Sequence, residues 1–389
     1  MSVPAMEQVD VLVVGARCAG ASTAMLLARA GLSVLVVDRA DAGADTLSTH
    51  ALMRPGVLLL SRWGVLDDVR AAATPKVTEV IYHYGDDRVA IPIRPKGDVD
   101  GLYAPRRTVL DPILVDAARD GGAEVRFGVS FRDVVRDDAG RVVGALVRDA
   151  GGERVIRCRW LVGADGLRSR VARAVEAPVV HRARHSSTTA YAFVGGLDDS
   201  AYHNAFRPGV AAGLIPTNDG QANVWAGVSS AAPGSHDPRD VAGFFEQTLR
   251  QASPWLAGEV FDGRPVEGLR LFAGHRGETR RSHGPGWALV GDAASMEDPI
   301  GAHGMTKALI GAELLAQAIR ATARGADERS TFTSSATTRT LLARRMLGPL
   351  ARLTGSTLDL AAVGRAHLSA NEALKAEWDT LSRSSESMA

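Results

Sequence analysis

Glycine-rich turns that follow short apolar strands carry the residue types in this chain best suited to chemistry. The first turn, Gly15-Ala16-Arg17-Cys18-Ala19-Gly20, follows the apolar run Val11–Val14 and opens a helix rich in Ala, Leu and Met. Gly15 permits a sharp turn and Gly20 permits close helix–strand packing. The free N–H groups at the helix start attract the pyrophosphate of a dinucleotide. The next strand, Val34–Val37, ends on Asp38, whose carboxylate can accept hydrogen bonds from both hydroxyls of an adenosine ribose. Where the fingerprint's second glycine would let backbone approach the phosphates, this chain has Arg17. Two later turns repeat the theme: Gly163-Ala164-Asp165-Gly166 after the strand Trp160–Val162, and Gly291-Asp292 after Trp287–Val290. His50 and His303 lie in loops near these turns, and either can exchange a proton close to neutral pH. His181 and His185 have the i,i+4 spacing of a helical metal pair. They lie among Arg182 and Arg184 without a nearby carboxylate or third ligand, so a solvated face is expected and no metal site.

The elements that must position these residues follow from periodicity and punctuation. After Asp38-Arg39, small polar residues with Gly and Pro read as a loop, and Leu58–Trp63 with Gly64 reads as a short helix. Residues 77–93 read as a hairpin about Gly-Asp-Asp, and the segment 103–122 as a helix with Leu110, Ile113, Leu114 and Ala117 on one face, stopped by Gly121-Gly122. The segments Ala123–Val129, Phe131–Arg136, Arg141–Arg148 and Glu153–Cys158 read as an antiparallel meander, not as a further βαβ repeat. Ser169 is placed to cap the helix that follows Asp165. Residues 186–230 are strand-like again, Phe244–Trp255 reads as a helix, and a strong helix covers roughly Met305–Arg320.

A chain of 389 residues exceeds the usual size of a single core. The expectation is an α/β protein with a discontinuous Rossmann-type dinucleotide-binding domain (1–76, 104–177 and 275–325). An antiparallel β-sheet substrate domain (77–103 and 178–274) and a C-terminal helical region with a disordered tail (326–389) complete it. Apolar residues make up 46% and charged residues 23%, with a formal net charge of +1, which gives no electrostatic case for nucleic acid or an anionic membrane. No uncharged apolar stretch approaches membrane-spanning length. Cys18 and Cys158 form no disulfide framework, and a reducing cytoplasm is the default expectation.

The N-terminal βαβ unit, the GADGLRS turn and the LVGDAAS…DP…Gly304 segment, in that order, resemble the p-hydroxybenzoate hydroxylase-like FAD-dependent oxidoreductases. That group spans class A flavin monooxygenases, flavin halogenases and geranylgeranyl reductases, and the resemblance covers about residues 8–320. It implies that FAD occupies the dinucleotide site and that NAD(P)H, if it is the reductant, docks transiently, since only one Rossmann turn is present. It further implies that the turn Gly15, Ala16, Cys18, Ala19 and Gly20 holds the pyrophosphate, and that Asp38 with Arg39 lies at the adenosine ribose. Arg107 would pair with the pyrophosphate or ribityl region, the Val129 backbone would contact adenine, and Asp165 would support the cofactor indirectly. Gly291 and Asp292 would meet the ribityl hydroxyls, with Pro299, Gly304 and Met305 against the isoalloxazine. A helix beginning near Met305 directs its positive end at the flavin edge that becomes negative on reduction.

The flavin loop departs from the family pattern Pro-x-x-Gly-Gln-Gly-x-Asn: aligned on Pro299 and Gly304, Ala302, His303 and Thr306 replace its first glycine, Gln and Asn. The halogenase Trp-x-Trp-x-Ile-Pro signature is absent, which disfavours halogenation. The functional expectation is a monooxygenase that uses NAD(P)H and O2 on a small apolar substrate, aromatic or polyketide-like, as a monomer or homodimer. His50 and His303 are its candidate proton carriers. Tyr191, Phe193, Leu214 and Trp225 either line a pocket above the flavin or form sheet core. The competing readings are a reductase of isoprenoid or other alkenes and a non-catalytic flavin-binding redox partner.

Overall fold

The computed structural model describes residues 7–184, 186–197, 199–230, 239–261, 266–299 and 302–337. His185 and most of the expected C-terminal helical region and tail lie outside them. Two large sheets carry the architecture. In the first, the strands His283–Gly284, Trp287–Leu289, Gly152–Gly163, Glu7–Val14, Val34–Val37 and Glu124–Arg126 lie side by side in that order. The pairs from Trp287–Leu289 to Glu124–Arg126 are all parallel.

The helix Cys18–Ala28 lies on this sheet with every residue but Leu26 buried, packed against the helices Gly304–Ala323 and Arg107–Asp120. A helix apolar on all sides belongs in the middle of a core. Val11, Val13, Met25, Leu27, Leu110, Leu114, Leu309 and Ile319 fill that core. The opposite sheet face is covered by Leu12, Leu35, Val147, Ile156, Leu161, Val171 and Leu289.

The second sheet has the order Arg270–Phe272, Ser187–Gly195, Gln221–Ser229, Val210–Thr217, Ala201–Arg207, Glu79–Tyr84, Asp87–Pro92. All its pairings are antiparallel except Ala201–Arg207 with Glu79–Tyr84. One face packs on the helices Val241–Ala252 and Pro254–Phe261 through Ala192, Leu214, Val224, Phe245 and Leu256. The other joins the core of the first half through Tyr191, Tyr202, Ile215 and Trp225.

Several sequence expectations are corrected. Glu124–Arg126 is not meander but a further parallel strand beside Val34–Val37, with Arg107–Asp120 as the crossover helix. Glu153–Cys158 and Trp160–Val162 are one strand, Gly152–Gly163. Its first half pairs antiparallel with Val142–Asp149, and Ile156–Gly163 pairs parallel with Glu7–Val14. Within the strand-like stretch 186–230, Ala201–Arg207 is a strand in its own right despite its polar Tyr-His-Asn composition. The helix expected over Phe244–Trp255 breaks after Ala252, where Ser253-Pro254 starts a new one, as proline removes the N–H that continuation needs. The short helix begins earlier than expected, at Arg54 with Pro55 in its first turn, and ends at Arg62.

Candidate active site

The glycine-rich turns meet at the carboxyl ends of adjacent parallel strands, the place where open α/β sheets bind ligands. Ala164 N–H donates to the Val14 carbonyl (2.8 Å), and Val290 N–H donates to the Gly163 carbonyl (2.9 Å). Side chains are excluded at the junctions. A Cβ on Gly15, whose φ is +109°, would lie 2.4 Å from the Ala164 carbonyl oxygen. One on Gly20 would lie 1.8 Å from the Gly15 carbonyl oxygen, and one on Gly291 2.9 Å from the Ala19 Cβ.

The Asp38 carboxylate accepts from Ala16 N–H and Ala40 N–H, each at 2.8 Å, and so ties the first turn to the loop after the strand. Val129 N–H donates to the Asp38 carbonyl (2.9 Å), which brings Val129 beside this acid, while Arg39 points to solvent. Asp165 has a structural duty. It accepts from the Ser169 hydroxyl (2.5 Å) and from Arg170 N–H (2.6 Å), while Ser169 caps its helix through Ala172 N–H (2.8 Å). The Ser169 cap is as the sequence predicts.

Arg107 is the first residue of its helix, buried, with Nε donating to Asp111 Oδ1 (3.0 Å) and Nη2 to Oδ2 (2.8 Å). The Cys18 thiol donates to the same Oδ1 (3.2 Å). Burial pushes the Cys18 thiol far up, so it stays protonated as a donor. Asp111 is missing from the sequence reading, although its i,i+4 spacing from Arg107 on a helix was a usable signal.

Asp292 sits in the helical turn Gly291–Ala293 and is solvent-accessible. Surrounding protein nonetheless raises its carboxyl above the ordinary range, with Lys307 and Arg107 opposing. Asp292 stands just past the parallel strand Trp287–Leu289, beside the Gly163 and Gly15–Gly20 turns. Lys307 pairs with Glu297. Ala302 N–H donates to the Pro299 carbonyl (2.8 Å), and Ala302 keeps a left-handed φ of +51°. Ala302 therefore holds a backbone conformation that glycine favours although it carries a side chain. Gly304 starts the long helix with open space at its Cβ position, and Met305 is buried beside it. His303 stands immediately before that helix. Thr306 Oγ1 accepts from Met53 N–H (3.0 Å), tying the helix to the loop that carries His50.

His50 lies at the seam between the two sheets. It is 1% exposed, has φ +64°, stacks on Phe193 (centroids 5.3 Å apart), and neither ring nitrogen has a hydrogen-bond partner. Left-handed backbone at a buried non-glycine residue costs on the order of 1 kcal/mol and points to function. Arg106 lies 3.9 Å over the Phe193 ring, and Tyr191 OH accepts from Ser48 N–H (3.0 Å). Asp45 pairs with Arg270 (2.8 Å) and Arg106 (3.6 Å), and its carbonyl accepts from Arg17 (3.4 Å). Arg17 thus turns from the glycine turn toward the His50 loop.

Tyr191, Phe193 and Trp225 face this seam, but Leu214 does not. The neighbouring Gly213 and Ile215 take the seam side, and strand alternation sends Leu214 to the helices behind. His181 is exposed on the strand Val179–Arg182, so the helical spacing that could pair it with His185 does not exist. No cluster able to hold a metal occurs among the described residues.

Burial first, then Arg107, Arg106 and Arg270, drive the His50 imidazole from 6.5 down to about 3, with Asp45 opposing. His50 is therefore neutral at pH 7. It is a poor base for a phenol but a competent hydrogen-bonding group, which revises the sequence-based role. Stability should respond to pH accordingly. Between about 3 and 6.5 the unfolded chain binds more protons at this residue, so its contribution is complete above 6.5 and is lost as pH falls toward 3. His50→Asn, which tolerates the left-handed backbone, should reduce the loss of unfolding free energy between pH 7 and pH 5 by about 2 kcal/mol. Denaturant melts at both pH values check this, and an unchanged difference contradicts it.

Residues 8–348 match the family model described as FAD binding domain. The chain belongs to this family. The digeranylgeranylglycerophospholipid reductase 2 of Methanopyrus kandleri is 30% identical over 326 residues, covering 80% of this chain and 77% of the reductase. Aklavinone 12-hydroxylase RdmE of Streptomyces purpurascens is 34% identical over 226 residues, 52% of this chain and 40% of the hydroxylase. Among solved structures, a flavin-dependent brominase, Bmp2 in a triple-mutant form, superposes with TM-score 0.79 at 19% identity over 94% of this chain and 93% of the brominase, a likeness of fold.

The protein is an FAD-dependent oxidoreductase, and its residues fit that cofactor. A glycine cradle that any Cβ would fill lies at the sheet's carboxyl edge. Asp38 and Asp292 can accept from sugar hydroxyls, while Arg107 and the starts of the helices Cys18–Ala28 and Gly304–Ala323 would offer positive charge to a phosphate or flavin bound there. No helix among the described residues is long and apolar enough to cross a membrane.

Proposed function

We propose that this protein is an FAD-dependent monooxygenase that uses NAD(P)H and O2 to hydroxylate or epoxidise an apolar aromatic or polyketide-like molecule. The observation that carries the reading is the seam itself, where Tyr191, Phe193 and Trp225 on one sheet, with neutral His50, face the half that holds the cofactor motifs. Bound FAD supplies the redox and oxygen chemistry. The chain's own part is to orient a flat substrate against aromatic side chains, exclude water, and offer the His50 imidazole to a substrate oxygen. Asp38, Arg107, Asp292 and the Gly15–Gly20 turn are assigned to the cofactor. His303, ahead of the helix at the flavin edge, is assigned a proton-handling role there. A cytoplasmic monomer or homodimer with transiently docked NAD(P)H completes the proposal.

The Methanopyrus reductase matches along 80% of this chain and favours a second reading, FAD-dependent reduction of an isoprenoid or other alkene. Oxygen use separates the two. Turnover of a phenol and polyketide panel under 18O2 should yield a product carrying one labelled oxygen atom. Anaerobic saturation of a prenyl alkene, with no label incorporated under 18O2, would replace the monooxygenase reading by the reductase one.

A further inference from the structure

Arg107 occupies a position that helix electrostatics oppose. It is the first residue of a 14-residue helix with no acidic residue in its first turn, so its guanidinium sits at the positive end of the helix dipole. It is also almost fully withdrawn from solvent, its side chain only 11% exposed. A cation there needs an anion, and Asp111 supplies one in a two-point fork at 3.0 and 2.8 Å. Asp111 is itself 6% exposed, and the Cys18 thiol, at the start of the dinucleotide-turn helix, fixes its Oδ1 at 3.2 Å. The fork thereby locks the guanidinium plane against the cradle from two helices. The Arg107 charge is felt at both Asp292 and His50.

We propose that Asp111, held by Cys18, is a positioning residue that aims the Arg107 guanidinium at FAD and neutralises part of its charge, so that the Asp111–Arg107 fork sets how strongly the protein prefers reduced over oxidised FAD. The inference rests on the assignment of Arg107 to the cofactor. Removing the Asp111 charge leaves one uncompensated cation beside the cleft, and the extra positive potential favours the reduced flavin anion.

The experiment is a reductive titration of the FAD-loaded protein against a reference dye. Relative to wild type, Asp111→Asn should raise the ratio of affinities for reduced and oxidised FAD three- to tenfold, seen as a more positive midpoint potential. The paired variant Arg107→Gln/Asp111→Asn, which removes both charges, should return the ratio to within twofold of wild type while binding FAD more weakly. Should Asp111→Asn not fold, Asp111→Glu carries the test. It should hold the wild-type ratio and weaken FAD binding at least threefold, because a longer carboxylate re-aims the fork. Lower thermal stability with an unmoved ratio in Asp111→Asn overturns the proposal, as does an equal shift in the paired variant or unchanged FAD affinity in Asp111→Glu. Failure of the wild-type protein itself to bind FAD would instead refute the cofactor assignment beneath it.

Discussion

Asp292→Ala is expected to purify nearly colourless, with FAD affinity reduced roughly a hundredfold. The carboxylate lies in the Gly291–Ala293 turn at the end of a parallel strand, accessible yet desolvated, with Arg107 and Lys307 the cations acting on it. Such a group is an acceptor for neutral hydroxyls, and hydrogen bonds to a charged partner contribute about 1.5–3 kcal/mol each. Losing contacts to ribityl hydroxyls removes about 3 kcal/mol, which is the hundredfold stated. The substitution should leave the thermal transition of the cofactor-free protein within a few degrees, because the side chain faces the cleft. The ratio of flavin to protein absorbance after purification, followed by FAD titration, reads the result. A variant with a full yellow complement would remove Asp292 from the cofactor site.

Gly20→Ala carries the second large effect, on the fold itself. The added Cβ would sit 1.8 Å from the Gly15 carbonyl oxygen and 3.1 Å from the Ala164 Cβ, both on backbone-anchored atoms that cannot swing aside. Relief requires the first helix to lift away from its strand, which opens the junction with the Gly163–Gly166 turn. Overpacking of this severity costs about 3 kcal/mol or more, a fall in Tm of roughly 4 °C or more for a chain of this size. Gly195→Ala, whose Cβ meets nothing within 4 Å, should change stability by less than about 1 kcal/mol and serves as control. Equal Tm values for the two variants would show that the close packing at Gly20 is relieved cheaply.

Much of the cofactor half was legible because its determinants are local. Gly15, Gly20 and Gly291 are needed by turns and by close approach of adjacent segments, Ser169 caps its own helix, and Asp38 ends its own strand. What sequence could not give depends on partners far along the chain. A run as short as Glu124–Arg126 declares no parallel partner, and its place beside Val34–Val37 is set by the crossover helix. The phase of alternation in Val210–Thr217 is fixed only by its neighbours, which is why Leu214 faces the helices and Ile215 the seam.

The acidity of His50 reflects burial and Arg107, Arg106 and Arg270, which converge from separate elements. Asp45, which binds Arg270 and Arg106, has no sequence feature that marks it. The loss of the flavin-loop glycine was legible, whereas the left-handed φ of +51° that Ala302 adopts in its place was not.

The central claim, that reduced cofactor at this site passes its electrons to oxygen and thence to a substrate held at the aromatic seam, is tested most directly by stoichiometry. FAD-loaded protein is reduced anaerobically with NADPH and with NADH, mixed with O2 and a phenolic or polyketide panel, and NAD(P)H oxidised, O2 consumed and oxygenated product are counted together. The account predicts one of each per turnover for at least one aromatic substrate, with little oxidation in its absence. Nicotinamide oxidation that proceeds without O2 while an alkene is saturated would contradict it.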